Sequence, residues 1–258
     1  MESAIITGTG IYAIPGFELE QKQIDTPYGT AFVNIARKDG FELAYLARHG
    51  MDHTTPPHNI NYRANLKALE MMGVKRVLAT YAVGSINRQI PPMGLALLSD
   101  FLDFTNNRPL TFYEGGESGL AHTSMDAPYC PAMRRKILEL AKQADLQIHP
   151  EAVYVATNGP RFETPAEIRM YDKLGGDVVG MTGVPEVVLA RELNMHYAAI
   201  AYSINWAAGL EAEMEFVSEK MQEIRQKLAS LLVDTLQELD TLDCNCEKAV
   251  MFMHPPKQ

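Results

Sequence analysis

The segment from Glu151 to Glu167 does most to fix what this chain can fold into. Glu151-Ala152-Val153-Tyr154-Val155-Ala156 is a short β-branched and aromatic run, the composition of a strand, and Gly159-Pro160 punctuates it. Thr164 stands as an N-cap, Pro165 as the first helical residue and Glu167 as the third, so a helix through Ala166, Ile168 and Met170 is predicted. A strand, a loop and a helix start in succession are where α/β proteins hold ligands. Phe162 and Glu163, side by side in that loop, offer a stacking face and a carboxylate acceptor to a planar base. The alternative is a tight turn with a solvated Glu163 and a core Phe162.

Other strand ends carry polar or glycine-rich turns. Ala4-Ile5-Ile6 runs into Thr7-Gly8-Thr9-Gly10, whose backbone N–H groups and Thr9 hydroxyl suit an anion. Tyr12-Ala13-Ile14-Pro15-Gly16 supplies no further glycine opening a helix, which rules against a dinucleotide fingerprint. Runs over 30–36 and 41–47 read as paired strands about Lys38-Asp39-Gly40. The second ends in Arg48-His49-Gly50, a rigid mount for a bidentate phosphate ligand, the alternative being a surface salt bridge. Further strands are expected over 74–80, 95–101 and 197–202, and helices over 132–144, 185–193 and from Met214 to about Leu239.

One α/β domain over 1–243 follows, with 244–258 expected as a mobile tail. The net charge of −9 argues against nucleic acid as a partner, so any bound phosphate needs a local site. Neither a signal peptide nor a membrane span is read from the sequence, and a cytoplasmic protein is expected. His49, His53 and His58 lack an acidic or cysteine ligand to complete a metal site, and no metal is expected there. The three cysteines make no disulfide framework; Cys244-Asn245-Cys246 is an unusual spacing, with reduced thiols the expectation and a redox or stapling role the alternative.

Taken together, Thr7-Gly8-Thr9-Gly10, Arg48-His49-Gly50, Asn61-Tyr62-Arg63-Ala64-Asn65, Ala82-Val83-Gly84-Ser85, Gly159-Pro160-Arg161-Phe162-Glu163-Thr164, Ala166-Glu167, Gly180-Met181-Thr182 and Pro185-Glu186 resemble the trimeric purine nucleoside and methylthioadenosine phosphorylases. The likeness covers residues 4 to 209. It implies a mixed twisted sheet forming a distorted β-barrel core flanked by helices, a homotrimer, and phosphorolysis of a purine nucleoside with no metal or organic cofactor. By the same resemblance Thr9, Arg48, His49, the Ala82 N–H and Thr182 hold phosphate, Met181 packs on the ribose and Phe162 stacks on the base. His122 matches a position that reaches into a neighbouring subunit's 5′ pocket. At Tyr81 the chain departs from the family's usual Thr or Asn, which leaves the Ala82 backbone as the contact carried over.

Two positions bear on the base. Family members that take 6-amino purines carry Asp-x-Asp where this chain has Asn205 and Ala207, and a neutral amide hydrogen-bonds N7 and a 6-oxygen rather than donating a proton. Glu163 stands where those members have Ser and 6-oxopurine members have Glu. The Arg48-His49-Gly50-x-x-His53, Asn61-Tyr62-x-Ala64-Asn65 and Val184-Pro185-Glu186 framework is similar to the methylthio-nucleoside branch, which points to S-methyl-5′-thioinosine, phosphate, hypoxanthine and 5-methylthioribose 1-phosphate. Met214, Phe216, Val217 and Met221 are candidates for the methylthio pocket or for core. The alternatives are a general phosphorylase of inosine and guanosine, a methylthioadenosine phosphorylase, and a nucleoside-binding protein without catalysis.

Overall fold

In chain order the backbone forms β1 (Ser3–Thr7), β2 (Glu18–Thr26), β3 (Gly29–Lys38), β4 (Phe41–Ala47), α1 (Tyr62–Met71), β5 (Arg76–Ser85), β6 (Leu95–Asp103), β7 (Leu120–Thr123) and α2 (Pro131–Gln143). Then follow β8 (Ile148–Ala156), α3 (Pro165–Lys173), β9 (Val178–Gly180), α4 (Gly183–Glu192), β10 (His196–Trp206), α5 (Met221–Gln237) and β11 (Val250–His254). This computed structural model describes residues 1–11, 13–211, 221–239 and 242–257.

Among the described residues nine strands make one mixed sheet in the order β10-β6-β8-β9-β5-β1-β4-β3-β2, and β10 also pairs with β5. That extra pairing closes β5, β10, β6, β8 and β9 into a ring, from which β1, β4, β3 and β2 extend as a wing. The distorted barrel with flanking helices is therefore present.

β1 shows why the sheet carries helices on both sides. All of its residues are buried, and side chains alternate between faces. Ala4 and Ile6 join the cluster containing Leu66 and Leu69 of α1 and Val187 and Leu189 of α4. Ile5 joins the cluster containing Met133 and Ile137 of α2 and Leu228, Leu231 and Leu232 of α5. Burying each such aliphatic side chain contributes about 1.5–3 kcal/mol.

Local signals are met at α3, where Thr164 and Glu167 form a reciprocal capping box with Pro165 at the first turn. Exposed Arg161 and the Thr164 N–H hold the Glu167 carboxyl down to about 2. Two expectations need correcting. β10 does not end at Tyr202 but continues through a bulge to Trp206. The segment after Cys244 is not a loose tail: Cys246 is buried, and β11 pairs antiparallel with β7. The expected helix start at Met214 falls in 212–220, outside the described residues, as do Phe216 and Val217. Met221 is fully buried among α2 and α5 and takes the core alternative.

Candidate active site

A cavity of about 350 Å3 lies where β1, β4, β5, β9 and β10 end. Thr9, Arg48, His49, Ala82, Phe162, Glu163, Met181, Thr182 and Asn205 all line it, so residues spread over nearly 200 positions converge. His122 does not: it sits exposed on β7, outside this lining. His53 lines the cavity with its ring 4.8 Å from that of His49, whereas His58 stays outside.

Arg48 is held by a buried network. Its Nε and Nη2 donate to Glu186 Oε2 and Oε1 at 2.6 and 2.8 Å, and its Nη1 donates to the Thr80 carbonyl at 3.1 Å. Burial opposes the charge on Arg48, and the Glu186 carboxylate more than offsets it, raising its pKa. Tyr197 donates to Glu186 Oε1 at 2.7 Å; the Tyr81 hydroxyl touches both that oxygen, at 3.0 Å, and the Tyr197 hydroxyl. Burial, reinforced by Glu186, raises both phenol pKa values and keeps them as donors. Tyr81 thus stands behind Arg48, whose guanidinium lies 4.6 Å from the Tyr81 ring centre. These contacts engage three of the five N–H bonds of Arg48. Its Nη1 lies so near the turn after β1 that a Cβ on Gly8 would come within 2.9 Å of it.

His49 presents one face to the same region. Its Nδ1 lies 2.8 Å from the Thr55 carbonyl, an acceptor, so this nitrogen carries the hydrogen and Nε2 holds the lone pair in the neutral ring. Burial lowers its pKa below 6.5, with Arg48 and His53 adding repulsion. Thr182 precedes α4, and its backbone N–H and that of Gly183 donate to the buried Tyr154 hydroxyl at 3.1 and 3.2 Å.

The opposite wall is built by two loops and a bulge. Between Ser203 and Asn205 the register of β10 against β5 shifts, which re-aims Asn205 toward the cavity. Asn205 is buried and donates one amide hydrogen to the Trp206 carbonyl at 2.7 Å, leaving its second hydrogen and Oδ1. Glu163 accepts from the Thr157 hydroxyl at 2.7 Å through Oε1, which fixes its direction. Phe162 beside it is 52% exposed, not the core residue of the turn alternative. Gly159, at φ +60°, lies under Met181, and a Cβ there would meet the Met181 sulfur at 2.4 Å.

Residues 2–237 match the model of the phosphorylase superfamily. The chain belongs to that superfamily. It is 45% identical over 96% of its length, and 98% of the relative's, to a probable 6-oxopurine nucleoside phosphorylase of Moorella thermoacetica. A probable S-methyl-5′-thioinosine phosphorylase of Methanopyrus kandleri is 44% identical, with 96% and 97% covered. The solved methylthioadenosine phosphorylase of Schistosoma mansoni in complex with tubercidin superposes with a TM-score of 0.84 at 30% identity, with 92% of each chain covered.

Within this phosphorylase fold, sequence reasoning gave no role to the residues that position the lining. Glu186 appeared in a motif, but its partner lies 138 positions away. Arg108 went unremarked, yet its Nη2 donates to the carbonyls of Asn158 and Met181 at 2.9 and 2.8 Å and its Nη1 to that of Val184 at 2.5 Å. One guanidinium thereby ties the loop after β8 to both ends of the β9–α4 turn. Its neighbourhood, Arg108 to Tyr113, is a polar and aromatic stretch that names no partner.

Proposed function

We propose that this chain catalyses phosphorolysis of a 6-oxopurine nucleoside, with S-methyl-5′-thioinosine as the preferred substrate. The observation that carries the reading is Glu163 and Asn205 facing one cavity with Arg48 and His49. Names of the Moorella and Methanopyrus relatives support the same reaction class. In it Thr9, Arg48, His49, the Ala82 N–H and Thr182 hold hydrogen phosphate against the sugar. Met181 packs on the ribose and Phe162 on the base.

Phosphate oxygen forms a bond to the anomeric carbon as the bond to N9 of the base breaks, and the electron pair goes to the purine. The proton of hydrogen phosphate ends on the departing base, which balances the reaction. Neutral His49 accepts the phosphate hydroxyl through Nε2. Asn205 bridges N7 and the 6-oxygen, and Glu163 accepts a hydrogen bond from N1–H, stabilising charge where it develops. A 6-amino purine lacks that N1 proton and leaves a carboxylate unpaired, a strong basis for discrimination.

The proposal extends to a cytoplasmic homotrimer. β7 and β11 expose Leu120, Met251, Phe252 and Met253 beside His122, an apolar surface suited to a neighbouring subunit's 5′ pocket. Among the described residues no helix is long and apolar enough to cross a membrane. A phosphate-dependent assay of methylthioinosine, methylthioadenosine, inosine and guanosine tests the reading. Highest kcat/KM on methylthioinosine is expected, and highest on methylthioadenosine overturns it. A second reading, a general inosine and guanosine phosphorylase, is favoured by the name of the 45% identical relative and wins if those two substrates lead. Turnover that requires phosphate separates both from a non-catalytic binder.

A further inference from the structure

Away from the cavity, Cys130, His196, Cys244 and Cys246 bring three sulfurs and one imidazole nitrogen to within 4.8 Å of one another. Cys130 Sγ is 3.6 Å from Cys244 Sγ, and His196 Nδ1 is 3.2 Å from Cys244 Sγ and 3.8 Å from Cys130 Sγ. A tetrahedral zinc with bonds of about 2.3 Å to sulfur and about 2.0 Å to nitrogen has S···S edges near ~3.8 Å and S···N edges near ~3.5 Å. The three edges among Cys130, Cys244 and His196 fall within about 0.3 Å of those values, and Cys246 completes the group within the 4.8 Å span. We infer that these four residues form a closed, structural Cys3His site for a thiophilic divalent cation, zinc by ligand type.

Several surrounding features fit such a centre. Cys130, His196 and Cys246 are buried and Cys244 is half-buried, so a bound ion is shielded from water and competing ligands. Cys130 is the N-cap of α2, which places its sulfur at the positive end of that helix. The other imidazole nitrogen, Nε2, lies 3.7 Å from a carboxylate oxygen of the exposed Glu247, so a carboxylate stands on the outer side of the ring. Three thiolates and one divalent cation leave a net charge of −1. Arg191, buried nearby with its charge acting on Cys246, has Nε and Nη1 without a partner among the described residues and balances that charge.

The ligands come from separate places: the start of α2, the first residue of β10, and a Cys-x-Cys pair beyond α5. Sequence spacing shows half of such a site, and the fold supplies the rest. Binding replaces three thiol protons with one cation and fastens the final segment to the body of the fold. That segment continues into β11, the partner of the His122 strand.

The test uses the full chain, expressed without added chelator and purified with its tag removed. Elemental mass spectrometry is expected to find about one zinc per chain. Cobalt exchanged into the reduced protein is expected to show the intense visible bands of a tetrahedral thiolate site. Cys246→Ser is expected to lose the bound zinc and to lower Tm by about 10 °C, and chelator is expected to lower the wild-type Tm alike. Reduced wild-type protein that takes up less than a tenth of an equivalent of zinc, with all thiols still titratable, overturns the inference. So does an intact mass two hydrogens light in metal-free native protein, which marks a disulfide instead. Both readings use wild-type protein, so a poorly folding variant does not obscure them.

Discussion

Arg48 and Glu186 form a bidentate ion pair with side chains 0% and 1% exposed, so the cation beside Gly8 arrives already neutralised. An anion in the cavity therefore meets directed N–H groups rather than a bare positive charge. Such a pair is costly to break, because the surviving partner stays buried and unpaired. Glu186→Gln is expected to lower unfolding stability by about 3 kcal/mol and to raise the phosphate KM more than the nucleoside KM. Urea titration and a two-substrate kinetic matrix measure both.

Tyr81→Phe removes a hydroxyl that shares the Glu186 oxygen with Tyr197 but leaves the ring against Arg48. A stability loss of about 1 kcal/mol is expected, with kcat within a factor of about three of wild type. A collapse of kcat would place the Tyr81 hydroxyl in contact with substrate.

Asn205→Asp exchanges an amide for a carboxyl at the bulge in β10. The ratio of kcat/KM for inosine over adenosine is expected to fall at least tenfold, a change of about 1.4 kcal/mol in relative transition-state binding. An unchanged ratio refutes the assigned role.

Burial depresses the His49 pKa, so the folded protein keeps the ring neutral at pH values where the unfolded chain takes a proton. Stability contributed by this group is present above 6.5 and is lost as pH falls through that value toward the lower folded pKa. The wild-type urea midpoint is expected to decline between about pH 7.5 and 5.5 more steeply than that of His49→Gln.

Gly159 at φ +60° sits against the Met181 sulfur. Gly159→Ala strains the backbone and displaces Met181, and a nucleoside KM raised about tenfold with phosphate KM little changed is expected from initial rates.

What was legible in the chain was local. Thr164, Pro165 and Glu167 announce α3 because capping is decided within one turn. Turns at strand ends likewise mark Thr9, Arg48 and His49 without knowledge of the sheet. Asn205 lines the cavity, but the expected strand ended at Tyr202, since a bulge is a property of pairing with β5 and has no signature in β10 alone. Glu186, Arg108 and the cysteine cluster depend on partners far along the chain, and no periodicity encodes such a meeting. For the same reason the segment after Cys244 looked unattached: a strand as short as β11 exists by virtue of β7.

The ring through β5 has a consequence for how the molecule is made. β5 is complete by Ser85, yet the strand that seals it, β10, begins at His196. Closure must await more than a hundred further residues, and the entropy of joining distant segments comes due before their pairing rewards it. Refolding in the test tube is therefore expected to be slow and prone to association, with the unsealed flank of β5 as its vulnerable edge until β10 arrives.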